Sequence, residues 1–211
     1  MTPDFARAVD PVFLHVLRLQ ERLAKGETAS PPDEQAKIRG LIDKAESIVG
    51  QTSEWKLAKY ALVAWVDEML VDPAWEGANW WTNHVLEWEL FNTMERFHLF
   101  YERAKDAYAA GFRNALEVFY VAVVLGFRGL YKEEPSSQLA AGRELPENIE
   151  KWAAQISMAI RMTPRPPIVS GGKPVAGAPP LTGQALLISS SMLAAVVAAV
   201  AVGSIIIARG L

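Results

Sequence analysis

Three histidines, His15, His84 and His98, are the side chains of this sequence best suited to proton transfer near neutral pH, and their spacing limits what they can do. None stands in an HExxH, HxH or Cys/His pattern, so local spacing encodes no zinc site. The nearest metal signal is Glu95-x-x-His98, a pair that ligates di-metal centres inside helical bundles. Such a centre needs a second copy of the motif and two further glutamates, and the chain holds one copy. With no cysteine, disulfides, thiolate ligands and cysteine nucleophiles are all excluded. No G-x-S-x-G, G-x-x-x-x-G-K-[ST] or G-x-G-x-x-G occurs, so neither a serine elbow nor a phosphate cradle is present. The expectation is a protein without catalytic, cofactor or metal residues.

What stands out instead is a surface chemistry. Between Lys59 and Arg96 there is no basic residue, yet there are seven acidic ones: Asp67, Glu68, Asp72, Glu76, Glu87, Glu89 and Glu95. Six of the seven tryptophans (Trp55, Trp65, Trp75, Trp80, Trp81 and Trp88) fall in or beside the same stretch. Trp55, Trp65 and Trp81 sit at helical spacing and are expected in the core. Trp75 and Trp80, in the loop WEGANW among acids, are candidates for an interface, where tryptophan anchors binding. Asp67 and Glu68 close an apolar helix, where the helix dipole disfavours carboxylates, and that hints at a use. Asp67, Glu68, Asp72, Glu76, Trp75 and Trp80 are therefore the expected partner-binding residues. The competing reading of the carboxylates is a plain solvated face.

Residues 1–162 carry 18 Lys+Arg and all 24 Asp+Glu, a net charge of 18 − 24 = −6. Such a field favours basic protein partners and repels nucleic acid. At 211 residues, 51% hydrophobic and 21% charged, the chain is long enough for one domain with an appendage, and too apolar to be disordered.

The elements that position these residues read as helices throughout. Asp10-Pro11 is an N-cap and first-turn pair, with Val12, Val16, Leu19 and Leu23 on one face. Pro31 to Glu34 opens a second helix, and Ser53 caps a third over 54–71, which Asp72-Pro73 stops. Asn79 opens a fourth, and Phe97 to Ala104 a fifth that ends near Gly111. A sixth, Ala115 to Leu125, is apolar on all sides and too short for a bilayer, which predicts the central core helix. LPEN at 145–148 opens the last, with Ile149, Trp152, Ile156 and Ile160 inward. No segment alternates with period two. The fold class is all-α, a bundle of about seven helices.

Beyond residue 162 the chemistry changes. Residues 163–185 form a linker, with six prolines and four glycines in 163–183. Leu186 to Ala208 is an uncharged run of 23 residues, about 34 Å as a helix and long enough for a hydrocarbon core of about 30 Å. Only Arg209, Gly210 and Leu211 follow it. The N-terminus lacks an apolar h-region, so no cleaved signal is expected. Arg161, Arg165 and Lys173 before the run, against Arg209 after it, place residues 1–185 in the cytoplasm and 209–211 outside. The expectation is a single-pass tail anchor. Ser191, Ala195, Ala199 and Gly203 recur every fourth residue, a small-residue stripe that would let this helix pack on a partner span or form a homodimer.

The order of features resembles the DotU/IcmH/TssL family of type VI and related type IVB secretion systems. The resemblance rests on ALVAWVDEMLV (61–71), the pair Trp80-Trp81, LEWELF, FHLFYERA and LEVFYVAVVLGFRGLY (116–131), and covers roughly residues 10–160. The family's GGE-x-FF element survives only as Glu95 and Phe97 of TMERFHLF, without the glycines. No peptidoglycan-binding domain is expected after the anchor. The resemblance implies a cytoplasmic domain built as two three-helix bundles on a bacterial inner-membrane anchor. It implies assembly with an IcmF/TssM-type membrane protein and docking of cytoplasmic baseplate proteins, through an acidic cleft mapping to Asp67, Glu68 and Asp72. A membrane-tethered helical metalloenzyme using Glu95 and His98, and a tail-anchored adaptor unrelated to secretion, are the alternatives.

Overall fold

The computed structural model describes residues 1–132 and 140–163; the anchor run, nearly all of the linker and the stripe Ser191, Ala195, Ala199 and Gly203 lie outside the described residues. Among the described residues the chain is helical and holds no strand. The elements are α1 (Pro3–Ala24), α2 (Pro31–Val49), α3 (Ser53–Val71), α4 (Ala78–Asn83), α5 (Leu86–Phe91), α6 (Arg96–Ala109), α7 (Arg113–Val124), a 3₁₀ turn (Gly129–Lys132) and α8 (Ile149–Met162).

Their starts follow capping chemistry. Thr2 caps α1, Thr52 caps α3 by accepting from the Trp55 amide at 3.0 Å, and Asn148 caps α8 by accepting from the Lys151 amide at 2.8 Å. Three expected starts are corrected. The cap of the third helix is Thr52, not Ser53, which is already the first residue of α3. The first helix begins at Pro3, not at Asp10-Pro11, and Pro11 lies inside it. Asp10 and Pro11 are both exposed, as is Arg7, so the carbonyl that Pro11 leaves without an amide lies on the outer side of the helix. The expected fourth helix is two short ones, broken at His84-Val85, and α4 starts at Ala78 after Gly77.

The middle of the bundle is α3, not α7 as its apolar run suggested. Every residue of α3 from Tyr60 through Glu68 is buried. On α7, Val124 is 61% exposed. α1 and α2 pack on each other and against α3 from one side, and α5, α6 and α7 pack on α3 elsewhere. The stretch Arg113–Lys132 is long and apolar enough to cross a membrane, but Leu116, Phe119, Ala122 and Phe127 within it are wholly buried in the protein core. Aromatic rings fill the joints: Phe13 meets Trp65 edge-on at 4.9 Å, and Phe100 stacks on Phe127 at 4.0 Å.

Candidate docking site at the end of the central helix

Three acids of α3 act as hydrogen-bond acceptors for elements that come later in the chain. Glu54, at the start of α3, accepts from the Asn114 amide at 2.7 Å and the Ala115 amide at 3.4 Å. Those are first-turn donors of α7, whose own N-cap position holds Phe112 and offers no side-chain acceptor. Asp67 accepts from the Leu86 amide at 2.9 Å, the Glu87 amide at 2.7 Å and the Trp81 indole at 2.9 Å. The two amides open α5, whose N-cap position is Val85. Glu68 accepts from the Arg128 amide at 2.6 Å and the Gly129 amide at 3.1 Å, at the head of the 3₁₀ turn. Each acid thus supplies the cap that the later segment lacks.

The turn that Glu68 holds has room only for glycine at 129. Gly129 has φ +51°, and a Cβ there would lie 2.7 Å from the Phe97 carbonyl oxygen. The motif pieces "DE" and "LGF-x-G-x-Y", far apart in sequence, are therefore bonded to each other in space.

Burial pushes the Asp67 carboxyl up to about 6, against the pull of the Trp81 indole and the Glu87 and Leu86 amides. Burial likewise raises Glu68, against the Arg128 and Gly129 amides. Glu87 is also interior, accepting from the Tyr60 hydroxyl at 2.7 Å and the Glu95 amide at 3.1 Å.

The expectation of an exposed acidic surface at Asp67 and Glu68 is thereby corrected: their side chains face the interior. The sequence run is acidic, but the folded surface is much less so, because distant bases arrive. Asp72 pairs with Lys132 at 2.6 Å and Glu89 with Arg39 at 2.5 Å, while Glu95 lies 3.5 Å from His98. Glu76 remains exposed, with no ion pair among the described residues.

Above the buried acids stands a tryptophan rim. The Trp75 indole donates to the Leu70 carbonyl at 2.8 Å, closing the end of α3. Its ring lies over Gly77, where a Cβ would come within 2.2 Å of the ring and 2.5 Å of Pro31, so only glycine admits that approach. Trp80 is half-buried, stacks on exposed His84 at 4.2 Å and meets Trp81 edge-on. A continuous path leads from the Asp67 carboxylate through Trp81 and Trp80 to His84 at the surface. Trp55, Trp65 and Trp81 are wholly buried.

Sequence reasoning passed over Glu54, gave Glu87 no role of its own, and left aside Trp88, which is 54% exposed on α5. The readable signal for the first was a segment beginning without Ser, Thr, Asp or Asn at the cap. As for metal chemistry, Glu95 and His98 are neighbours, but no group of three or more potential ligands is found among the described residues.

Residues 4–209 match the family described as "Type VI secretion system protein DotU". The described fold is similar to a solved structure, the cytoplasmic domain of TssL from Acinetobacter baumannii, with a TM-score of 0.61 and 21% identity. The likeness covers 76% of this chain and 98% of that one. No curated protein matches the chain.

Proposed function

The chain belongs to the DotU family of type VI secretion system proteins, and from that premise we propose that it is the tail-anchored inner-membrane component that docks cytoplasmic parts of the machine. The domains follow the sequence: 1–162 a cytoplasmic helical domain, 163–185 a linker, 186–208 the membrane helix and 209–211 the far end. The protein is structural, and it performs no reaction and needs no cofactor. Its partners are an IcmF/TssM-type membrane protein, cytoplasmic baseplate proteins and the lipid bilayer. In the bilayer, the stripe Ser191, Ala195, Ala199 and Gly203 packs on a partner span or a second copy.

One observation carries the docking reading: the three donors converging on Asp67 fix the segment between α3 and α5, and with it the rim of Asp72, Trp75, Glu76 and Trp80. A rim held from beneath enters binding already ordered, so little conformational entropy is lost on association. Asp67 and Glu68 serve the surface by holding it, while Glu76 and the tryptophans touch the partner. Charge at such a rim changes association rate and salt dependence more than stability.

The test places the full chain in lipid nanodiscs and measures capture of the baseplate proteins encoded with it. Glu76→Lys should cut capture severalfold, steepen or invert its salt dependence, and leave the circular dichroism melt unchanged. Undiminished capture, with the same salt dependence, would remove the docking role from this rim.

A further inference from the structure

The helical domain ends beside an apolar groove. Thr163 is the last described residue, and Met162 just before it is a wall of a groove of about 330 Å³ between the end of α6, the turn Ala140–Pro146 and α8. The floor is Trp152, Leu145 and Ile156, all buried, and the other walls are Tyr108 and Met158. Tyr108, Met158 and Met162 are 57%, 64% and 82% exposed, three of the eight large apolar side chains exposed among the described residues. Apolar side chains that converge in this way mark a surface for a protein or a membrane, where scattered ones would not. The charged side chains of the lining are Lys105 and Glu144, one of each sign, so net charge does not select the occupant. Position does.

The groove and the point where the chain leaves the domain are both fixed. The Tyr131 hydroxyl donates to the Pro146 carbonyl at 2.6 Å, and the Lys105 ammonium donates to the Arg143 carbonyl at 2.8 Å, which brace the turn before α8. At the far end of α8, the Arg113 guanidinium donates to the Ile160 carbonyl and, at 2.8 Å, to the Thr163 carbonyl. The same side chain pairs with Glu117 at 2.9 Å. The Ile160 carbonyl is among the last of α8, which a helix leaves without an amide donor of its own. The final turn, with Met162 on it, is therefore held to α7 where the chain leaves.

We propose that this groove rests on the surface of the lipid bilayer, with Tyr108, Met158 and Met162 in the headgroup boundary. The inference rests on the tail-anchor reading given above. Residues 164–185, 22 in all, separate Thr163 from the uncharged run that starts at Leu186. A surface tethered that closely to a membrane segment meets the bilayer at an effective concentration of about a millimolar, so contact through a few side chains suffices. The wall residues match the place. Tyrosine sits at headgroup level with its ring inward and its hydroxyl toward water, and an unbranched thioether adapts to an irregular apolar boundary. Exposure alone would not choose this surface, because Met94 is 57% exposed as well. Met94 stands before the start of α6, however, and Arg96 to Tyr108 along that helix is about 18 Å.

The chain has six methionines, Met1, Met69, Met94, Met158, Met162 and Met192, so methyl-labelled methionine gives a short, assignable spectrum. Met192 lies inside the uncharged run and reports on the anchor separately. The full chain would be placed, one copy per disc, in phosphatidylcholine nanodiscs whose lipid carries a nitroxide near the headgroup or along the acyl chain. The headgroup nitroxide should broaden Met158 and Met162 at least about threefold more than Met69 and Met94. Met158→Glu should cut the broadening of Met162 by at least about half and leave Met192 and the melt unchanged, because a carboxylate is disfavoured at the apolar boundary. Tethering without contact would not respond to that substitution. Met158 and Met162 as sharp as Met94, or broadening of Met162 that ignores Met158→Glu, would overturn the contact, while a broadened Met192 leaves the anchor reading standing. Met192 left sharp by both lipids would overturn the anchor reading and the contact with it. Shifts of Met158 and Met162 that arise only with two copies per disc would make a second copy the occupant and overturn the proposal.

Discussion

The two ends of α3 solve the same problem in opposite ways. Near its start, Glu46 of α2 receives the Lys59 ammonium at 2.8 Å and the Trp55 indole at 2.9 Å. Those two hydrogen bonds, Lys59 first, hold its carboxyl down to about 2. At its far end Asp67 and Glu68 have amide and indole donors and no lysine or arginine side chain among their hydrogen-bond partners in the described residues. Burial wins there, and both carboxyls are raised. A cation compensates charge, whereas amides compensate geometry: they satisfy the lone pairs and fix the segments that carry them. The charge-paired end is therefore the one tuned for stability at neutral pH. The amide-held end gives up some stability to position α5, the 3₁₀ turn and the rim between them.

The comparison breaks most visibly at Asp67. Asp67→Ala would leave the Leu86 and Glu87 amides and the Trp81 indole without an acceptor inside the protein, at a cost of about 1–3 kcal/mol for each group that water cannot reach. A loss of at least about 3 kcal/mol in chemical unfolding is expected. Glu54→Ala removes the same kind of cap at the half-buried start of α3, where water can replace the carboxylate, and should cost about 1–2 kcal/mol. Equal losses for the two substitutions would show that the ends do not differ as described.

The pH dependence sharpens the same contrast, because the two ends must pull in opposite directions. Asp67 has a folded value of about 6 against an ordinary 3.8, so its contribution is fully present below about 3.8 and lost as pH rises through about 6. Between those values it tilts stability upward on acidification, by at most about 1.4 kcal/mol per pH unit. Glu46, held down to about 2, contributes above 4.5, and that contribution is lost as pH falls through about 2. Unfolding free energy should therefore rise from pH 7 toward pH 5 and fall again in stronger acid. Asp67→Asn should reduce the first limb to the part that Glu68 contributes, and leave the second. An unchanged first limb would mean that Asp67 does not titrate in this range.

How much of this was legible beforehand depends on the distance over which each feature is set. Helical character and the core positions of Trp55, Trp65 and Trp81 are written in local periodicity and composition. The side on which Asp67 and Glu68 face is not, because their donors come from residues 81–87 and 128–129. The same holds for the acidic run, which is unbroken along the chain and broken in space by Arg39 and Lys132. Pro11 misled for a local reason: a Pro after an Asp looks like a helix start whether or not an earlier cap, Thr2, has already begun the helix. The resemblance pointed at Asp67 and Glu68 as important residues; their geometry says what they are important for.

The smallest effect belongs to Asp72, an acid of the group that lies outside and is paired. Asp72 follows α3 directly, is exposed, and meets the Lys132 ammonium at 2.6 Å, with about half of that lysine side chain in solvent. An exposed pair of this kind is worth about 0–1 kcal/mol, because water and salt screen the attraction and two side chains lose freedom to form it. Asp72→Asn should accordingly shift the unfolding free energy by less than about 1 kcal/mol, and raising the salt to about 1 M should erase most of that difference. Asp67→Asn, earlier on the same helix and inside the protein, should keep its effect in the same salt, since hydrogen bonds there are not screened by ions that cannot enter. A salt-resistant penalty at Asp72 would mean that the pair with Lys132 helps to hold the 3₁₀ turn, extending the interior network of Glu68 to the surface.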